Sequence, residues 1–272
     1  MSIQAVERSE LDVRVERPRR SCRALALCVV VIAVVSLAGN VVAVQAALGI
    51  YAREQEVRLD PLGLRYHVAE RASASASMTK PRLILYGDSR VAMWTPAPSV
   101  PGWDIVNLGV GFQTTTQALL RFDYDAAPFH PTVVVFEVGV NDLKDLATFS
   151  DRRDAIVRDC EENIAALVTK ARALGAEVVL ATVFDLGDAA IWRTPFWTPA
   201  PIARAIAEVN TFIRSQARDG VVVIEAAPIL DDARGKIRAS YQADHLHLVP
   251  AAYAALNEKV VSIVSAFPPG PR

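Results

Sequence analysis

Ser89 stands at the end of the apolar run Leu83-Ile84-Leu85-Tyr86-Gly87-Asp88-Ser89, where a buried strand would deliver its hydroxyl to a sheet edge. In an open α/β sheet, ligands sit in the crevice beyond the carboxyl ends of the strands, so Ser89 is placed as a nucleophile would be. A hydroxyl of this kind needs a base to take its proton and donors to stabilise the oxyanion that its attack creates. Suitable residue types occur in Asn107-Leu108-Gly109-Val110-Gly111-Phe112, in Gly139-Val140-Asn141-Asp142 and in Asp244-His245-Leu246-His247. Each residue also has a structural reading. Ser89 suits a helix N-cap, Asn141 a turn, and Asp88 and Asp142 suit bonds to nearby loop backbone.

The elements that must position these segments alternate along the chain. Apolar runs at 82–86, 104–108, 132–138, 177–183 and 221–225 read as strands. Between residues 151 and 174, Ile156, Cys160, Ile164, Leu167 and Ala171 recur at three- and four-residue steps, and Gly175 follows as a C-cap. From Pro201, Ile202, Ile206, Val209 and Ile213 share a helical face that Gly220 closes. Tyr253, Leu256, Val260, Ile263 and Phe267 mark a last helix from Pro250. Strands alternating with such helices imply a parallel sheet covered on both faces, and a parallel sheet would gather all four segments at one edge. Trp94 and Cys160 read as core, His67 and His130 as surface, and Glu137, odd inside a strand, as half of a local ion pair.

Taken in order, G-D-S after the first strand, N-x-G-x-G after the second, G-x-N-D after the third and D-x-x-H before the last helix resemble the SGNH/GDSL hydrolase family over about residues 81–265. The resemblance implies a three-layer α/β/α sandwich around a flavodoxin-like, five-stranded parallel sheet. It implies that Ser89 attacks an acyl carbonyl, that His247 takes the proton and that Asp244 orients the imidazole. The oxyanion would meet the Ser89 N–H, the Asn141 side-chain amide and a backbone N–H from Gly111 or Phe112. No metal and no organic cofactor are implied. Family members often carry glycine where Phe112 stands, and a phenylalanine disfavours positive φ. Its ring would also narrow the acyl pocket towards acetyl groups. His245, where the family commonly has a small residue, reads as a loop side chain with a chance of touching substrate. The loop 185–201 holds Trp192, Phe196 and Trp197, which would stack on sugar rings, wall the acyl group, or pack as a lid or against a bilayer. Alternatives are acyl transfer by the same triad, a metal-dependent phosphoesterase with Asp88, Asp142, Asp244 and His247 as hard ligands, and a non-catalytic binding module.

The rest of the chain says where such chemistry would take place. With a formal net charge of −1 and no basic stripe, nucleic acid is not an expected partner. Residues 24–44 carry no charge, which is about the length a helix needs to cross a bilayer core. Arg14, Arg17, Arg19, Arg20 and Arg23 precede this run, whereas Arg53, Arg58 and Arg65 follow it, a bias that favours a cytoplasmic N-terminus. The expected organisation is a basic tail (1–23), a transmembrane signal-anchor (24–44), a stalk ending in an Ala/Ser-rich linker (45–80) and an extracytoplasmic hydrolase domain (81–272). Secretion after cleavage near Ala46 is the competing reading. Cys22, Cys28 and Cys160 give no disulfide framework. The expected partners are therefore the membrane and a small-molecule or glycan ester.

Overall fold

A computed structural model describes residues 19–74, 79–187 and 199–267 in two units, Met1–Leu59 and Asp60–Arg272. The described residues of the first unit form one helix, α1 (Arg19–Leu59), of 41 residues. Within its segment Arg23–Leu59 an 18-residue stretch reaches a mean hydropathy of 2.7, and the segment is long and apolar enough to cross a membrane. The polar amide of Asn40 is absorbed within the helix, where its Nδ2 donates to the Ser36 carbonyl at 2.7 Å.

In the second unit five parallel strands stand in the order β2-β1-β3-β4-β5. They are β1 (Arg82–Gly87), β2 (Asp104–Gly109), β3 (Val133–Glu137), β4 (Glu177–Ala181) and β5 (Val221–Ile224), each close to its expected position. Their side chains alternate between two cores, and this is why the inner strands read as unbroken apolar runs. Ile84, Tyr86, Val134, Phe136, Val178 and Leu180 face one core, while Leu83, Leu85, Val133, Val135 and Val179 face the other. Each such side chain contributes about 1.5–3 kcal/mol on burial.

Helices cover both faces and make the expected three-layer sandwich. In chain order the α-helices among the described residues of this unit are α2 (Val68–Ser73), α3 (Ser89–Ala92), α4 (Thr115–Asp125), α5 (Val140–Lys144), α6 (Arg153–Ala173), α7 (Pro199–Ser215), α8 (Ala227–Leu230) and α9 (Pro250–Val264). The first core takes side chains from α4, α6 and α7, and the second from α3, α8 and α9. Helix α4 was not anticipated. It opens on a capping box in which Thr114 and Gln117 bond each other's backbone N–H groups.

The segment 45–80 differs from the expected stalk. Up to Leu59 it continues α1, and residues 60–74 fold into the second unit. The Asp60 carboxylate accepts from the N–H groups of Leu64 and Arg65, both at 2.9 Å, which closes a turn. Gly63, at φ +65, lets that turn approach closely, since a Cβ there would lie 2.6 Å from Val110 Cγ1. His67 follows and is buried, not on the surface. Its Nε2 donates to the Gly109 carbonyl at 3.1 Å.

Candidate active site

The segment that carries Ser89 turns where two strands nearly touch. A Cβ on Gly87 would lie 1.9 Å from the Glu137 carbonyl oxygen, so only glycine lets β1 leave the sheet beside β3. Asp88 then caps α3, its Oδ1 accepting the Arg90 N–H at 2.9 Å. Ser89 is thereby held half-buried at the head of that turn, at the point where the strand order reverses, which is where this topology places ligands.

Opposite it stands the loop ahead of α9. Ser89 Oγ lies 3.0 Å from His247 Nε2, and His247 Nδ1 lies 2.8 Å from Asp244 Oδ2. An ionised carboxylate can only accept, so Nδ1 carries the proton and Nε2 is left to accept from the serine hydroxyl. Asp244 Oδ1 also accepts the N–H groups of Leu246 and His247, at 2.7 and 2.8 Å. Partial burial pushes the Asp244 carboxyl up, but the bonds from the His247 ring and these two amides outweigh it and hold the pKa down at about 2. Asp244 is thus anionic throughout the neutral range.

The loop after β2 forms a second wall. Asn107 ties it down, donating to the Val91 carbonyl at 2.7 Å and accepting the Gly109 N–H at 2.9 Å. Gly111 faces the serine, since a Cβ there would stand 3.9 Å from Ser89 Cβ. Phe112 adopts φ +66 despite its side chain, and the residue is 65% exposed. Such a left-handed residue costs roughly 1–2 kcal/mol and persists only when its surroundings over-determine it. Gln113 beside it is buried. Its side chain accepts from Arg121 Nε and donates to the Leu62 carbonyl at 2.7 Å.

The third wall comes from α5, whose Asn141 is buried. Asn141 Nδ2 donates to the Gln113 carbonyl at 2.9 Å, and its Oδ1 accepts from Lys144 Nζ at 2.6 Å. Asp142 instead accepts the Thr115 N–H at 2.9 Å and the Thr115 hydroxyl at 2.7 Å. Burial, partly offset by those bonds, pushes its carboxyl up to about 6.

Arg90 explains Glu137. Both are fully buried, and Arg90 Nη1 lies 3.5 Å from Glu137 Oε1. The same guanidinium donates to the carbonyls of Leu246 (2.9 Å), Phe184 (3.0 Å) and Asp185 (3.3 Å). Burial and then the charge of Asp88 push Glu137 up to about 8. Burial also raises Asp88.

The arrangement therefore brings Ser89, His247 and Asp244 into one hydrogen-bonded line, with Gly111 beside Ser89 and Asn141 bonded through Gln113 to the loop that carries Gly111. It can transfer a proton from a serine hydroxyl to an imidazole held in one tautomer. His245 is half-buried in the same loop, and its carbonyl accepts the Gly187 N–H at 2.9 Å. The Phe112 ring stands at the exposed rim, 5.6 Å from Lys144 Nζ. Trp192, Phe196 and Trp197 lie outside the described residues. Among the described residues no three His, Cys, Asp or Glu side chains are grouped to hold a metal. Sequence does not single out Arg90 and Gln113, whose partners are distant in the chain, nor Lys144, which meets Asn141 three residues before it only once α5 forms.

Comparison with known proteins gives this geometry a context. A sequence model of the GDSL-like Lipase/Acylhydrolase family matches residues 85–255, well over half of the chain. Esterase TesA of Pseudomonas aeruginosa is 30% identical over 162 residues, which cover 58% of this chain and 69% of that protein. A GDSL-like lipase structure from Bacteroides thetaiotaomicron superposes with a TM-score of 0.57 at 20% identity, covering 75% of this chain and 98% of that one. An acetylxylan esterase from Geobacillus stearothermophilus does so with a TM-score of 0.55 at 16% identity, covering 69% and 95%. These two likenesses concern the fold.

Proposed function

Since the chain belongs to the GDSL-like lipase/acylhydrolase family, and with it is a carboxylic ester hydrolase, we propose that it works through a Ser89–His247–Asp244 triad on short-chain esters. The observation that carries this reading is the unbroken hydrogen-bonded line from Ser89 Oγ through the His247 ring to the Asp244 carboxylate. Ser89 Oγ attacks the carbonyl carbon while its proton passes to His247 Nε2, and Asp244 stabilises the imidazolium that results. The oxyanion is met by the Ser89 N–H, by Asn141 Nδ2 and by a backbone N–H of Gly111 or Phe112. His247 then protonates the departing alkoxide as the ester C–O bond breaks. Water, deprotonated by the same ring, then attacks the acyl carbon, and the ring returns that proton to Ser89 Oγ as the C–Oγ bond breaks and the acid leaves.

The substrate we propose is an acetyl ester of an envelope or extracellular glycan. What supports the location is α1 with its arginine-rich N-terminal flank, read as an uncleaved anchor that leaves the hydrolase outside the cytoplasm. What supports a short acyl group is the Phe112 ring at the rim of the site, one residue after the Gly111 that faces Ser89, together with the fold shared with an acetylxylan esterase. The test is turnover of p-nitrophenyl esters of two to eight carbons by the full chain in detergent, with a chelator present. Chelator-resistant activity that favours acetate is expected, falling by about 10⁴-fold or more in Ser89→Ala and His247→Ala. Unchanged turnover in either variant removes the triad. Faster turnover of the eight-carbon ester removes the short-chain assignment.

A further inference from the structure

We propose that residues 60–74, a strap ahead of the first strand, position the oxyanion loop 109–113 and hold Phe112 in its left-handed conformation. The proposal rests on the serine-esterase reading, in which that loop supplies a donor to the oxyanion. The strap lies ahead of the residues matched by the family model, which begin at 85.

The strap grips the loop on both sides of Phe112. On the near side, His67 Nε2 donates to the Gly109 carbonyl at 3.1 Å. On the far side, the Leu62 carbonyl accepts from Gln113 Nε2 at 2.7 Å. Between these points Gly63 presses on the loop, since a Cβ there would meet Val110 Cγ1 at 2.6 Å and Gln113 Nε2 at 3.1 Å. A third tie runs through charge. Arg71 donates to Asp125 and to the Leu64 carbonyl, fastening the strap to α4 and to itself. Asp125 also takes Arg121 Nη1 at 2.8 Å. Arg121, fully buried, donates to Gln113 Oε1 and to the carbonyls of Gly87 and Leu108, both at 2.9 Å.

The consequence reaches the reacting atoms through one residue. Gln113, clamped by the strap and Arg121, offers its own carbonyl to Asn141 Nδ2 at 2.9 Å. A loop freed from the strap would let Phe112 relax towards negative φ, which any L-residue prefers. That relaxation would swing the Gly111–Phe112 peptide and remove the support beneath Asn141. A misplacement of about 1 Å at such a site can lower the rate by about 10²-fold.

The test uses the full chain in detergent and three variants, His67→Leu, His67→Gln and Gly63→Ala. For each, kcat and KM on p-nitrophenyl acetate, the rate of fluorophosphonate labelling at Ser89, and the unfolding midpoint are measured. His67→Leu and Gly63→Ala are expected to lower kcat and labelling about 10- to 100-fold, with KM within about 3-fold. His67→Gln restores most of the loss, because its carboxamide N–H can reach the Gly109 carbonyl. In a Phe112→Gly background the effect of His67→Leu shrinks to within about 3-fold, since glycine adopts positive φ freely. Variants that lower only the unfolding midpoint, with kcat below it unchanged, overturn the proposal. So does a His67→Leu effect of the same size in both backgrounds. A wild-type chain that neither turns over ester nor labels at Ser89 overturns the esterase reading instead, and this one with it. If Gly63→Ala does not fold, the His67 pair carries the comparison alone.

Discussion

Under the proposed triad, Lys144 would strengthen the site without entering the line of attack. Its ammonium donates to Asn141 Oδ1 at 2.6 Å, which fixes the amide so that Nδ2 points away from the lysine. A charge on the carbonyl end of an amide polarises its N–H groups, and donors to a developing oxyanion gain most from this in a dry site. Burial pulls the Lys144 pKa down, while the charges of Asp145, Asp88 and Asp142 push back. Replacement Lys144→Met should lower kcat about 10-fold with little change in KM, and Lys144→Arg should recover part of it. A rise in KM at constant kcat would make Lys144 a substrate contact instead. Sequence alone pointed to Ser89, Asp244, His247 and Asn141, because their types fall in short ordered blocks at strand ends. It could not point to Lys144, which reads as an exposed lysine until α5 turns it back onto Asn141.

Among the elements, the strands were legible and two other segments were not. The inner strands β1, β3 and β4 are covered on both faces and wrote themselves as apolar runs. Helix α4 escaped because Arg121 and Asp125, both fully buried, break its apolar stripe, although Thr114 and Gln117 spell a capping box. The strap escaped because its Ala/Ser run reads as a linker, while His67 and Arg71 find partners more than forty residues away. Buried polar joints of this kind set how the elements meet. Arg90 ties α3 to the histidine loop through Leu246 and to the β4 exit through Phe184, with Glu137 below it. Burial, then Asp88, raises Glu137 to about 8 against about 4.5 in the unfolded chain. A raised folded pKa contributes stability that is full below the unfolded value and is lost as pH rises through the folded one. Wild-type stability should therefore decline between about pH 5 and pH 9. Glu137→Gln removes that titration, so its unfolding midpoint relative to wild type should climb across the same range. A difference that stays flat from pH 5 to pH 9 would mean that Glu137 is ionised throughout.

At the scale of the whole molecule the question is whether α1 anchors the hydrolase to a membrane, and on which side. A 41-residue helix is about 60 Å long, and a bilayer core takes up about 20 residues of it. If the uncharged segment 24–44 is the span, residues 45–59 continue for about 22 Å beyond it. That continuation suits water. It carries Arg53, Glu54, Glu56 and Arg58, and Arg58 bonds Glu54 one turn away at 2.7 Å. The helix passes Ala46, the candidate cleavage point, without a break. Five arginines at 14, 17, 19, 20 and 23 against three at 53, 58 and 65 should keep the N-terminus inside. An uncleaved anchor predicts a chain of 29.5 kDa that stays with the membranes through an alkaline carbonate wash. A cysteine introduced by Gln55→Cys should then react with an impermeant maleimide on whole cells, whereas one introduced by Ser9→Cys should react only after lysis. The opposite labelling pattern would put the hydrolase in the cytoplasm and exclude extracellular glycan esters as substrates. A shorter chain in the medium would replace the anchor with a cleaved signal and leave the triad's chemistry untouched.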